Sequence, residues 1–392
     1  MDRADRTQMA GEIMLDFAAE TGIEKERNQP RRYLWTDAFA VCNFLELYRR
    51  SLDENWMELA KRLVNQVHHV LGRHRPDGEK KGWISGLREE KGELHPTRGG
   101  LRIGKRLPER APDEPPDEHL EWERDGQYYH YLTKWMHALH AMARVTGDAT
   151  YLRWGMEMAQ AVHAAFRYPA TVEGAQSLHW KMSIDLTRTL VRSAGQHDPV
   201  DGFTAYSELQ SAAKYFAAED LPDLSSEIAE LSVMSRGLHL TTDDTLGVGG
   251  LLCDAAWLEH LASKGDLRDT RLLQEVLQAA LTSIDGIGRS FLTIAPRYRL
   301  PFRELGLSIG LRGVRRLAGL VEEYPDAVDP EVLDGLRRCL SDYNGFLPLA
   351  DKIEIFWIAE MKRRTANWKE HREVNSVMLA TSLVPDQFLK AG

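Results

Sequence analysis

Apolar residues recur every three to four positions through most of the chain, and alternating β-branched runs are nearly absent, so the pattern predicts helices rather than strands. Capping residues and Gly or Pro stops place these helices near 8–21, 35–50, 53–71, 128–145, 148–167, 180–194, 203–217, 223–237, 247–263, 267–284, 304–321, 330–343, 352–365 and 369–383. Several are joined in pairs by a tight break, at SLDEN, TGDAT, KGD and YPDAVDP, and short connections make antiparallel neighbours.

In each pair the first helix is the more apolar: AFAVCNFLELY, LTKWMHALHAMA and GVGGLLCDAAWLEHLA. An open solenoid leaves both helices of a hairpin with an exposed face, whereas a double-layered ring walls in the first helices, so the pattern favours a ring. The hairpins share no residue signature and match no consensus solenoid repeat. A long Pro- and charge-rich segment at about 73–126 reads as a loop inside one domain, residues 1–392, because the hairpin pattern resumes beyond it. The hairpins, together with the aromatic and charged clusters RRYLWTD (31–37) and DGQYYHYLTKW (125–135) at starts of apolar helices, resemble the (α/α)6 toroids of the six-hairpin glycosidase and N-acylglucosamine 2-epimerase-like superfamily. This resemblance is architectural; it implies an all-α (α/α)6 toroid and a carbohydrate-active protein with its site at one end of the ring.

The chain has 392 residues, 43% hydrophobic and 28% charged, enough apolar content to fold around a large core. Its net charge of −9 argues against a general nucleic-acid or anionic-membrane partner, which would need a positive field. Cys42, Cys253 and Cys339 are an odd number, lie far apart and fall in helical patterns, which suits a reducing compartment. The first residues carry no apolar signal-peptide stretch and no run reaches membrane-span length, so the expected location is the cytoplasm.

Several motifs come close to known chemistry and fail. GGLRIGK (99–105) satisfies GxxxxGK, but Arg106 stands where a magnesium-binding Ser or Thr belongs, and no strand precedes it; it reads as a glycine-bearing loop whose Arg102 and Lys105 can meet an acidic substrate. TTDDTLG (241–247) matches neither DxDD nor DDxxD and reads as helix capping, while GVGG (247–250) reads as a close approach of two backbones. His68-His69 and His137…His140 lack HExxH and a carboxylate at ligand spacing, so neither a metal nor any other cofactor is expected.

A sugar site needs aromatic faces, charged hydrogen-bonding groups and one or two acid/base groups in a partly dry pocket. Four segments supply these: 31–37, 121–137, 179–185 and 371–375, with PFRELG (301–306) as a further helix start. Asp37, Glu304 and Glu373 are the carboxylate candidates, and His130 and His179 the imidazole candidates. Trp35, Tyr129 and Trp180 offer platforms, and Lys134, Arg303 and Arg372 offer binding charges. Each has a bland alternative: Asp37 as a cap, the stripe His130, Lys134, His137, His140 and Arg144 as a solvated face, Asp185 and Arg188 as a helical ion pair, and the 371–375 run as an exposed charge cluster.

Paired carboxylates would suit hydrolysis of a glycosidic bond in a small-molecule or oligosaccharide substrate, the leading expectation. Histidine bases would instead suit epimerisation or isomerisation next to a carbonyl. A non-enzymatic helical scaffold predicts that the stripe at 130–144 is exposed, and an isoprenoid-cyclising barrel is disfavoured by the many cationic and histidine residues.

Overall fold

The computed structural model describes all residues except 25–29, 171–175, 217, 219, 268, 289, 391 and 392, so residue 217 of one predicted helix and residue 268 of another lie outside the described residues. The chain begins with α1 (Arg3–Thr21), α2 (Leu34–Ser51), α3 (Glu54–Leu71), α4 (Glu89–Leu94), α5 (Glu118–Glu123) and β1 (Gln127–Tyr128). It continues through α6 (Tyr129–Thr146), α7 (Ala149–Phe166), β2 (Arg167–Pro169), β3 (Gln176–Leu178), β4 (Lys181–Met182), β5 (Thr189–Val191), α8 (Asp198–Ala213) and α9 (Ser225–Met234). The last part holds α10 (Thr245–Ser263), α11 (Arg271–Ile287), α12 (Pro301–Glu323), α13 (Pro330–Asp342), α14 (Pro348–Arg363), α15 (Ala366–Glu370) and α16 (Arg372–Leu383). Among the described residues no helix is long and apolar enough to cross a membrane.

Contacts group the chain into two compact units. One comprises Ala18–Leu45 and Asp53–Arg236. Here α6 packs against α7 and α8, and α8 against α7 and α9. The α6–α7 hairpin follows from its turn: Gly147 stops α6 in the left-handed region at φ 71°, and the Asp148 carboxylate accepts the Thr150 N–H to start α7. Every residue of α6 from Leu132 to Ala143 is buried, polar ones included, so the 130–144 stripe is not a solvated face. His68 of the His68-His69 pair is buried, with its ring edge-on to Trp135 and Trp154, and accepts the Trp135 indole N–H, while His69 pairs with Glu93.

The segment 180–194 is not the predicted helix. Lys181–Met182 and Thr189–Val191 pair as antiparallel strands, and β1 adds to β4 with Tyr128 opposite Lys181. Asp185 makes the difference: its carboxylate accepts the Thr187 N–H at 3.1 Å and the hydroxyls of Ser183 and Thr187, fixing a turn that competes with helix. Asp185 and Arg188 are thus not partners on a helix face. The 73–126 segment is a loop apart from the short α4 and α5, and buried Asp125 ties it down. The Asp125 carboxylate accepts the backbone N–H groups of Gly104 (2.9 Å), Lys105 (3.3 Å) and Gly126 (3.1 Å), and the guanidiniums of Arg75 and Arg102. The GGLRIGK loop therefore wraps an anion that belongs to its own chain.

The other unit comprises Met1–Phe17, Glu46–Leu52 and Gly237–Gly392. In it α10 packs against α11 and α12, and α12 against α14 and α16. The expected close approach at GVGG is present: a Cβ on Gly249 would stand 2.2 Å from the Gly306 carbonyl oxygen, so the α10–α12 contact needs glycine there. Asp244 caps α10 through the Leu246 N–H, the capping role expected for TTDDTLG. Buried Glu354 gathers Arg6, Arg312 and Ser308.

Glu259 of α10 has no exposed surface, and neither carboxylate oxygen has a hydrogen-bond partner among the described residues. Burial pushes its pKa up from 4.5 to about 8, against the lowering influence of Arg316. Between those values the folded state holds a proton that the unfolded chain has released, so this group makes stability fall as pH rises from about 4.5 to about 8. Glu259→Gln is expected to be more stable than the wild type by about 3 kcal/mol at pH 8 and nearly equal at pH 4.5. Urea denaturation at the two pH values checks this; an equal difference at both would contradict it.

Candidate functional site

In the unit formed by Ala18–Leu45 and Asp53–Arg236, the starts of α2 and α6 and the β1–β4–β5 sheet bring aromatic rings together. Trp35 lies 5.3 Å from Tyr131 and 6.1 Å from His130, measured between ring centroids. Tyr128 and Trp180 both stack on His130, at 5.4 Å and 6.1 Å, and Trp122 meets Trp180 edge-on at 4.5 Å. The Tyr33 and Tyr131 hydroxyls are 2.7 Å apart. Strand pairing sets much of this: opposing Tyr128 to Lys181 puts Tyr128 and Trp180 side by side. The ammoniums of Lys181 and Lys105 lie 5.4 Å and 5.9 Å from the Tyr128 ring. Lys181 is anchored by the carbonyls of Glu121 and Arg124, and burial lowers its pKa to about 8.

His130 is half-buried, and burial lowers its pKa to about 4, so it is neutral at pH 7. Its Nδ1 accepts the Trp180 indole N–H at 3.2 Å, which leaves the ring proton on Nε2. The same Nδ1 is 3.7 Å from Asp198 Oδ1. Asp198 and Asp201 open α8 three residues apart and thus on one face. Lys134 donates to Asp201 at 2.6 Å between buried groups. Burial and the charge of Asp201 push Asp198 well above the usual carboxylate range, outweighing the Gly195 backbone and Lys134. Only a residue without a side chain fits next to this acid: a Cβ on Gly195 would meet Asp198 Oδ2 at 2.3 Å. The arrangement is a carboxyl group pushed upward by burial and a lysine-paired carboxyl group on one helix turn, beside a wall of aromatic rings.

The other sequence-predicted residues of this unit stand differently. Asp37 is buried; its Oδ2 accepts the Tyr33 N–H at 3.0 Å and Arg32 lies 3.5 Å from Oδ1, the geometry of a helix start held closed. Tyr129 is fully buried with its ring edge against Phe166, behind the wall rather than in it. His179 turns away from Trp180 and stacks on Tyr168 at 4.2 Å.

Glu304, Arg303, Arg372 and Glu373 belong to the second unit. Buried Glu304 accepts both arms of Arg299, at 2.7 and 2.6 Å, and the Trp357 indole N–H at 2.9 Å. Arg303 is exposed and pairs with Asp244 at 3.0 Å. Arg372 is exposed, Glu373 half-buried, and the neighbouring His371 meets Phe302 edge-on.

No protein-family model matches the chain, and no curated protein is significantly similar to it. Solved structures are similar in fold. The GH76A alpha-1,6-mannanase from Salegentibacter sp. HEL1_6 superposes over 99% of this chain and 100% of its own, with a TM-score of 0.51 and 12% identity. The fold is that of the (α/α)6 toroids. A sugar epimerase from a ruminal bacterium (TM-score 0.47, 10% identity, 88% of this chain and 87% of that one) and the cellobiose 2-epimerase of Bacillus thermoamylovorans B4167 (TM-score 0.47, 11% identity, 87% and 86%) also match.

Within this toroid fold, sequence reasoning passed over Asp198 and Asp201. They follow His197 and bracket Pro199, and an Asp beside a Pro at a helix start reads as ordinary first-turn chemistry. The available signal was Asp-x-x-Asp facing a lysine on a helix already read as inner, but pairing Lys134 with Asp201 requires knowing that α6 packs on α8.

Proposed function

We propose that this chain is a carbohydrate-active enzyme of the glycoside hydrolase type, binding a sugar or oligosaccharide against Trp35 and Trp180 and using Asp198 as its general acid. One observation carries the reading: of two carboxyl groups on the same helix turn, burial pushes one well above the usual carboxylate range while the other is ion-paired with a lysine, beside an aromatic wall. Environments that split a carboxyl pair in this way assign the acid and the anion. Asp198 gives its proton to the leaving glycosidic oxygen as the bond to the anomeric carbon breaks, and water then supplies the new hydroxyl and returns the proton. Asp201, ionised against Lys134, stabilises the positive charge that develops on the sugar. The His130 Nε2–H is a hydrogen-bond donor for a sugar hydroxyl, and with Nδ1 engaged by Trp180 this ring is poorly placed to act as a base. The fold shared with an alpha-1,6-mannanase supports the substrate class.

Incubating the protein in D₂O with a panel of mono- and oligosaccharides, mannose-linked, uronic and amino sugars included, and following proton NMR tests this. New anomeric signals are expected, with a rate that falls as pH rises through the raised Asp198 pKa, because the acid must carry its proton. Deuterium entering a sugar carbon without bond cleavage would replace hydrolysis by epimerisation, and silence across the panel would overturn the carbohydrate reading.

A further inference from the structure

α6 and α8 bring together a second polar cluster that the reaction above does not use. His137 and His140 stand three residues apart on α6 and so share a face, and Glu208 reaches them from α8. One ligand atom from each lies within 4.8 Å of the others. His137 Nδ1 is 2.8 Å from Glu208 Oε2, and the two imidazoles pack edge to face at 6.4 Å. All three side chains are buried, at 1%, 2% and 1% exposure. The second oxygen, Glu208 Oε1, is buried with no hydrogen-bond partner among the described residues. Leaving a buried carboxylate oxygen unsatisfied is costly, and such a group calls for a partner of positive charge.

We infer that His137, His140 and Glu208 form a binding site for a transition-metal ion of the Zn²⁺ type, which clamps α6 to α8. Two imidazoles and one carboxylate suit Zn²⁺ and its neighbours, whereas Mg²⁺ and Ca²⁺ take oxygen ligands. Ligand atoms about 2.0–2.2 Å from a tetrahedral ion lie about 3.3–3.6 Å apart, so side-chain rotations moving them by about an ångström complete the approach. An ion bound at His137 Nδ1 would take the place of the hydrogen that lies between His137 and Glu208. Burial of all three ligands makes the ion structural, not catalytic. Arg144, a turn beyond His140, and the buried Cys42 thiol complete the surroundings: both Arg144 and Glu208 act on the Cys42 thiol, which burial pushes up to about 12. The thiol is not one of the three ligand groups that lie together.

The test is to strip the purified full chain with a chelator and titrate it with Zn²⁺, and separately with Co²⁺, whose visible absorption reports its ligands. Uptake of about one equivalent at micromolar metal is expected, with a rise in Tm, release of protons and a Co²⁺ spectrum of nitrogen and oxygen ligation. His140→Ala and Glu208→Gln, checked for folding by circular dichroism, are expected to weaken binding by at least 100-fold. No uptake by the stripped wild type overturns the inference, and it does so even if the variants misfold. Unchanged binding by two folded variants overturns it as well, since the metal then sits elsewhere. The readouts are stoichiometry, spectrum and Tm, so the outcome does not depend on whether the chain cleaves sugars.

Discussion

Asp198→Asn is expected to lower kcat for sugar cleavage about 1,000-fold with little change in KM, and to leave the circular dichroism unchanged. Asparagine keeps the size of the side chain beside Gly195, where no additional atom fits, but has no acidic proton to give. About 4 kcal/mol of transition-state stabilisation is at stake, the range expected of one well-placed general acid. Substrates with a leaving group acidic enough to depart unprotonated should recover much of the rate in the variant. An equal loss on activated and unactivated glycosides would instead point to a positioning role. Asp201→Asn is the companion measurement. It removes the neighbouring charge that helps to hold Asp198 high, so the alkaline limb of the remaining activity should move to lower pH.

Arg299→Met should destabilise the unit that holds it by about 3–5 kcal/mol, the cost of leaving one member of a buried ion pair alone. Both groups are 4% exposed, and the guanidinium that grips Glu304 also lies 4.0 Å from the Phe356 ring and 5.1 Å from that of Trp357. Without it, Glu304 keeps the Trp357 indole N–H and loses both charged hydrogen bonds. Arg299→Met combined with Glu304→Gln should regain most of the loss, because a neutral amide can still accept from Trp357. Urea denaturation of the two variants separates this from simple loss of packing around the arginine, which would leave the double variant as weak as the single one.

The helical periodicity, caps and hairpin breaks were legible because they are local: Asp148, Asp244 and Gly147 act on residues within four positions of themselves. The burial of the α6 stripe was not legible, because amphipathicity alone fits a solvated face as well as an inward one. The β4–β5 hairpin was not legible either, because three-to-four spacing across Lys181, Asp185, Arg188 and Arg192 imitates a helix while the turn is decided by one carboxylate and two hydroxyls. The candidate site was half legible. Trp35, His130 and Trp180 announce themselves as aromatic and polar clusters at element starts. The partners that set their chemistry, Asp198 and Asp201, lie some 67 to 68 residues away from the residues they meet and carry no motif, so only tertiary packing reveals them.

The three-stranded β1–β4–β5 sheet is small, yet it joins the strand carrying Tyr128 to the strand that follows Trp180 by backbone hydrogen bonds. The configurational entropy of these two walls is therefore lost when the chain folds and not when a ligand arrives. A sugar meeting this surface would find its shape already present, with association limited by diffusion and orientation instead of loop closure. Its binding heat would then reflect stacking and hydrogen bonding with little contribution from ordering of the protein.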